Sequence, residues 1–152
     1  ATPLQMVTAF GSIASGGTIM RPYIVDRVEY ADGHSEETRP TPIRPVFSNR
    51  TAALLSGMLV NVVDKGHGKA ARIHGYYVAG KTGTAQIPGR GGYTAETNHS
   101  FVGFAPVDDP KFVMLVILDK PTTSIYASET AAPVFFDIAK DLLIYYGIPP
   151  NE

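Results

Sequence analysis

The stretch GYYVAGKTGTAQ, residues 75–86, admits two incompatible folds, and the choice between them constrains the rest of the chain. Gly75, Gly80, Lys81 and Thr82 fit the spacing of a phosphate-binding loop. Such a loop curls glycine-rich backbone around an anion and then starts a helix whose N-terminus faces the charge. The intervening residues argue against it. Tyr76, Tyr77, Val78 and Ala79 suit an extended strand. The GTAQIPGRGG that follows Thr82 cannot start a helix of useful length. Asp119 ends a later apolar run, but Lys120 and Pro121 follow directly, so it does not fill the metal-holding role of a nucleotide site. The stretch is predicted to be a strand.

Side chains alternate along a strand, so Thr82 and Thr84 share one face while Lys81 and Gly83 take the other. Two hydroxyls at one edge suit a carboxylate, with the lysine supplying positive charge nearby. Gly83 permits close approach of a neighbouring segment, and free N–H groups on a strand edge can hold a developing oxyanion. A surface strand with one lysine and two threonines can also be chemically silent. The three-residue box therefore needs context.

The flanking elements supply it. Thr2, Pro3 and Gln5 mark a helix start, and Leu4, Met6, Val7, Phe10, Ile13 and Ala14 form its apolar stripe before Gly16 and Gly17 end it. IMRPYIVDRVEY, a turn at DGH and the proline-spaced TRPTPIRPVFS predict a small ribbon outside any central sheet. Ser48 or Asn49 caps a second helix, with Leu54, Leu55, Met58, Leu59 and Val62 on one side and Gly66 at its end. Antiparallel strands are expected at 76–86, 99–106 and 112–119, with a closing helix at 130–146 over one face. The IPGRGGYTAETN segment between the first two strands reads as a long polar loop beside a site. The fold class is α+β.

Composition removes several alternatives. At 152 residues the chain is about one domain long. Its net charge of −1 gives no electrostatic footprint for nucleic acid. With no cysteine, disulfides, thiolate metal sites and cysteine nucleophiles are excluded. No apolar run approaches the roughly 20 residues that span a bilayer, and the first residues lack a secretory leader pattern. His34, His67, His74 and His99 have no carboxylate–histidine spacing and read as solvent-facing or capping groups rather than metal ligands. GHGKAA from Gly66 imitates a dinucleotide fingerprint but follows a helix instead of a strand, and Lys69 and Arg72 read as a solvated basic turn. Tyr76 with Tyr77, and Tyr145 with Tyr146, each read as one core ring and one surface ring; Phe101 and Phe104 read as packing residues. None of these features points to a metal or cofactor.

TPLQMVTAFGSIASGG, VAGKTGTAQ, SFVGFAPVDDPKFVMLVILDKP and AAPVFFDIAKDLLIYYGIPP together resemble the C-terminal part of the transpeptidase domain of class B penicillin-binding proteins, especially those of cell division. The likeness covers essentially the whole chain, and Lys81-Thr82-Gly83 matches the family's box. The resemblance implies D,D-transpeptidation of peptidoglycan stem peptides through a serine acyl-enzyme, with β-lactams as suicide analogues and cell-division proteins as partners. It implies a site at the extracytoplasmic face of the bacterial membrane and a five-stranded sheet, two of whose strands lie upstream, and it implies no metal or cofactor. Lys81 would supply charge, the hydroxyls of Thr82 and Thr84 would hold the terminal carboxylate, and the Thr84 N–H would contribute to the oxyanion hole. Gly83 completes that wall, and Tyr93 is the aromatic placed to reach a substrate. Ala127-Ser128-Glu129 stand where the family usually has a glycine pair before the alanines, a departure expected to touch no site chemistry.

No serine here has a lysine three positions later, and no Ser-x-Asn occurs. The expectation is one piece of a larger domain, whose upstream half carries the nucleophile and which cannot form an acyl-enzyme alone. A β-lactamase-like serine hydrolase would share the wall but use water as acceptor. A non-catalytic binding module would keep the fold without the chemistry.

Overall fold

The computed structural model describes residues 1–66 and 72–150. Helix α1, Pro3–Ala14, starts with a reciprocal cap. The Thr2 hydroxyl accepts the Gln5 N–H at 3.2 Å, and the Gln5 side chain accepts the Thr2 N–H at 2.8 Å. The chain then forms two separate two-stranded ribbons: β1, Thr18–Met20, pairs with β4, Pro42–Pro45, and β2, Arg27–Glu29, pairs with β3, Ser35–Glu37. The second ribbon is solvent-exposed on both faces, as its charged residues lead one to expect, whereas Pro42 and Pro45 lie in β4 of the first ribbon. Helix α2, Asn49–Lys65, is capped by Ser48, whose hydroxyl accepts the Thr51 N–H at 3.2 Å.

The central layer is an antiparallel sheet of β5, Ala79–Gly89, β6, Gly92–Ala105, and β7, Phe112–Asp119, in that order. A 3₁₀ turn, Ala127–Glu129, leads into α3, Ala131–Tyr145. Register sorts the side chains between two faces, because residues directly opposite one another share a face. Thr82, Thr84, His99, Phe101 and Gly103 lie on the face that α3 covers. Val102, Phe104, Leu115 and Ile117 lie on the other face, which packs under α1. Phe101, Phe135 and Phe136 form a tilted aromatic cluster with centroids 4.6–5.4 Å apart, in the geometry ring quadrupoles favour. Phe101 and Phe104 are both buried, on opposite faces of the same strand.

The structure corrects five expectations, one of them the first strand, which runs Ala79–Gly89 and not 76–86. Residues 87–98 are not a loop but the outer half of the β5–β6 hairpin, with a register shift between Gln86 and Pro88 and a tight turn at Arg90–Gly91. On α2 the buried face is Ala52, Ser56 and Val63, whereas Leu54 and Met58 point to solvent. Small residues face β5 because they let the helix axis approach the sheet closely. Tyr145 and Tyr146 are both exposed and stack edge to face on one another, instead of dividing between core and surface. His99 is fully buried rather than solvent-facing. Ahead of that first strand, Gly75 turns the chain with a φ of +82° that other residues adopt at a cost. The GHGKAA segment, with His67 and Lys69, lies largely outside the described residues.

Among the described residues, β5 and β7 each have one unpaired edge, and Leu54, Met58 and Ile117 expose apolar surface beside them. Unpaired edges and apolar patches promote association between chains. The isolated 152-residue polypeptide is expected to self-associate in sedimentation velocity; a monomer with one cooperative unfolding transition would contradict this.

Candidate active-site wall

The Lys81-Thr82-Gly83-Thr84 segment lies in β5, on the outer strand of the sheet. In an antiparallel pair, alternate residues direct both backbone groups at the partner strand, and the residues between them direct theirs away. The Ala79 carbonyl abuts Gly103, and the Gly83 carbonyl lies 3.5 Å from the Ser100 hydroxyl, so odd-numbered residues face β6. Thr82 and Thr84 therefore turn their N–H and C=O groups to the free edge. The Thr82 carbonyl, outside the ladder, accepts a hydrogen bond from Lys81 Nζ at 2.8 Å. Lys81 is exposed and has no ion pair among the described residues. Its charge is free for an anion.

The two hydroxyls differ. That of Thr82 has no hydrogen-bond partner among the described residues, whereas Thr84 Oγ1 accepts the Ala127 N–H at 3.2 Å. This corrects the expectation that the Ala127-Ser128-Glu129 departure leaves the site untouched: the turn bonds directly to a residue of the wall. An accepted hydrogen bond occupies a lone pair and leaves the Thr84 proton available to donate.

Around this contact lies a buried polar chain that motif reasoning missed. Thr97 Oγ1 is 2.9 Å from His99 Nε2, and His99 Nδ1 is 2.7 Å from Thr130 Oγ1. The signal was available in the alternation of β6, which puts His99 on the face of Phe101 and opposite Thr84. Tyr93 is 72% exposed at the hairpin end, opposite Pro88. That is four positions beyond Thr84, or about 13 Å along the strand, so the structure does not bring it to the Lys81–Thr84 edge. Near the same end, the Glu96 carboxylate lies 2.8 Å from Lys120 Nζ and raises the lysine's pKa above its ordinary value.

The phosphate-loop reading fails here, because β5 continues through Thr82 to Gly89 and no helix starts there. Among the described residues no three His, Asp or Glu side chains gather as a metal site. His34 stacks on Tyr30 and faces Glu36, and His74 and Arg72 are exposed.

Residues 1–140 match the penicillin binding protein transpeptidase domain. The chain belongs to that family. It is 39% identical to stage V sporulation protein D of Bacillus subtilis, over 99% of this chain and 24% of that protein. It is 32% identical to the peptidoglycan D,D-transpeptidase FtsI homolog of Mesostigma viride, over 99% of this chain and 28% of that protein. Its fold is similar to penicillin binding protein 3 of Mycobacterium tuberculosis, solved in complex with aztreonam, with a TM-score of 0.86 and 35% identity. That match covers 100% of this chain and 37% of the other. The chain thus spans about a quarter of the length of the curated relatives it matches. The relatives place this transpeptidase-domain chain in the class B branch, with the α+β fold read from its sequence.

Within that fold, the wall depends on Gly80. A Cβ there would sit 2.5 Å from the buried Phe101 ring, which has no room to withdraw under Phe135 and Phe136. Gly83 is less constrained, since its Cβ would meet only the rotatable Ser100 hydroxyl. In the parent protein, Gly80→Ala is expected to cost about 1–3 kcal/mol by overpacking, measured by denaturant unfolding. Gly83→Ala should cost clearly less, and equal costs would show that the Phe101 contact is not the constraint.

Proposed function

We propose that residues 81–84 form one wall of the acyl-transfer site of a serine-type D,D-transpeptidase, which cross-links peptidoglycan stem peptides and is acylated by β-lactams. The observation that carries this reading is the edge of β5. Thr82 and Thr84 turn free N–H groups outward beside the unpaired Lys81 ammonium. A peptide carbonyl laid against that edge meets the Thr84 N–H, which offsets the negative charge that develops on its oxygen. The substrate's terminal carboxylate lies within reach of the Lys81 charge and the hydroxyls of Thr82 and Thr84, where charge-assisted hydrogen bonds are strongest. Lys81 and Thr84 are the catalytic residues of this segment, and Thr82 and Gly83 shape and line it.

The attacking serine and its activating lysine belong, on this reading, to a preceding part of the same domain, because the sequence has no Ser-x-x-Lys. The relatives' names and the aztreonam complex support the activity and the ligand class. The parent works at the extracytoplasmic face of the bacterial membrane with cell-division partners. No helix among the described residues is long and apolar enough to cross a membrane, so anchoring falls to another segment.

Two measurements test the proposal. A fluorescent penicillin should label the complete parent covalently and leave the 152-residue polypeptide unlabelled after denaturation; a labelled band from the latter would refute the assignment of the nucleophile. In the parent, Thr84→Val removes a hydrogen bond to a charged group, worth about 1.5–3 kcal/mol, or about ten- to two-hundred-fold in acylation rate. Thr84→Ser keeps the hydroxyl and should retain most of the rate. Unchanged acylation in Thr84→Val would remove the hydroxyl from the site.

A further inference from the structure

We propose that His99 is a positioning residue for the acyl-transfer reaction, acting through Thr130 and the 3₁₀ turn to fix the hydroxyl of Thr84. The inference rests on the reading of Thr84 as a donor to the substrate carboxylate, and it adds a cause for that hydroxyl's orientation.

The contacts define a continuous path. Thr130 Oγ1 lies 3.3 Å from the Tyr126 carbonyl, to which it can donate its one proton, and 2.7 Å from His99 Nδ1. With the Thr130 proton on the Tyr126 carbonyl, the Nδ1–H donates to Thr130 and Nε2 accepts the Thr97 hydroxyl proton at 2.9 Å; in the other tautomer both directions reverse and the same atoms stay joined. The first assignment uses every contact with a neutral imidazole. It ties β6 to both ends of the turn that carries Ala127. Ser124 braces the same turn, donating to Glu129 Oε2 at 2.6 Å and accepting the Tyr126 N–H at 3.1 Å. Held from both sides, the turn presents the Ala127 N–H to Thr84 Oγ1 at 3.2 Å.

The consequence concerns direction. A threonine hydroxyl has one proton and can swing it toward solvent, toward a backbone carbonyl or toward the ligand. Fixing one lone pair on a buried N–H restricts where the proton can point, so less ordering remains for the substrate to impose. His99, opposite Thr84 on the same sheet face, is fully buried and touches no ligand on this geometry. Its effect passes through the turn. It positions and does not react.

The experiment uses the complete parent enzyme and two acylating probes, benzylpenicillin and its methyl ester, which lacks the charged carboxylate. The readout is the ratio of their acylation rates, because a general loss of folded protein lowers both rates together and leaves the ratio unchanged. Thr130→Val preserves side-chain shape and cuts the path; it should lower the penicillin-to-ester ratio about 3- to 10-fold through misplacement of the hydroxyl. In a Thr84→Val background the same substitution should leave the ratio unaltered, since the end of the path is already gone. His99→Leu should reproduce the loss. His99→Asn, which can set an amide N–H where the ring has Nδ1, should restore a good part of it. If Thr84→Val lowers the ratio while Thr130→Val leaves it at the wild-type value, or slows both probes equally, the positioning role of His99 is overturned and the carboxylate reading stands. If Thr84→Val itself leaves the ratio unchanged, the carboxylate reading fails, and this inference fails with it.

Discussion

Gly80 and Gly103 face one another across the β5–β6 ladder, and the space their absent side chains leave is filled by the Phe101 ring of β6 and the Phe135 ring of α3. A Cβ at Gly80 would strike Phe101, and one at Gly103 would lie 3.0 Å from the Phe135 ring. Helix α3 can settle on the sheet because Gly103 is bare where Phe135 arrives, while Gly80 leaves room for the Phe101 ring of β6 beneath it. Close-packed interiors tolerate little change of volume, so this paired vacancy fixes the height of α3 above β5. That height in turn fixes the turn before α3, and through Ala127 it fixes Thr84. Packing on one side of the sheet thereby reaches the edge of β5 that carries the proposed site.

The wall itself needs almost nothing unusual. Its groups are a lysine without an ion pair among the described residues, a threonine with an uncommitted hydroxyl and a second whose oxygen is held by a backbone N–H. Two amides are left over because the strand is outermost. The scaffold adds immobility to these ordinary parts, which is what the proposed acyl transfer would require of them, because pre-organised dipoles cost no reorganisation when charge develops.

What the sequence disclosed depended on whether the signal was local. Thr2 with Gln5 and Ser48 ahead of α2 could be read because a cap is made by residues a few positions apart. The strand character of the stretch 75–86 and the alternation that put Thr82 and Thr84 on one face were equally local, and both hold from Ala79 onward, although the strand starts three residues later than the expected Tyr76. The outer hairpin was missed because it is exposed on both faces, so no apolar alternation marks it, and glycines there resemble a loop. The buried side of α2 was misjudged because periodicity weighs large apolar residues, whereas close helix–sheet contact selects Ala52 and Ser56. His99 was misjudged because its partner Thr130 lies 31 positions away. Nothing short of register brings them together.

The register irregularity between Gln86 and Pro88 gives the β5–β6 hairpin a mechanical division. Below it, the ladder is clamped between helices; beyond it, two strands project with little more than the Lys120–Glu96 pair to brace them. A bulge locally disrupts the ladder and lets a strand bend, so the projection is a cantilever whose fulcrum lies outside the wall. The peptide groups of Thr82 and Thr84 lie in the regular ladder on the near side of that fulcrum, so a bend there would displace Tyr93 and leave their alignment unchanged.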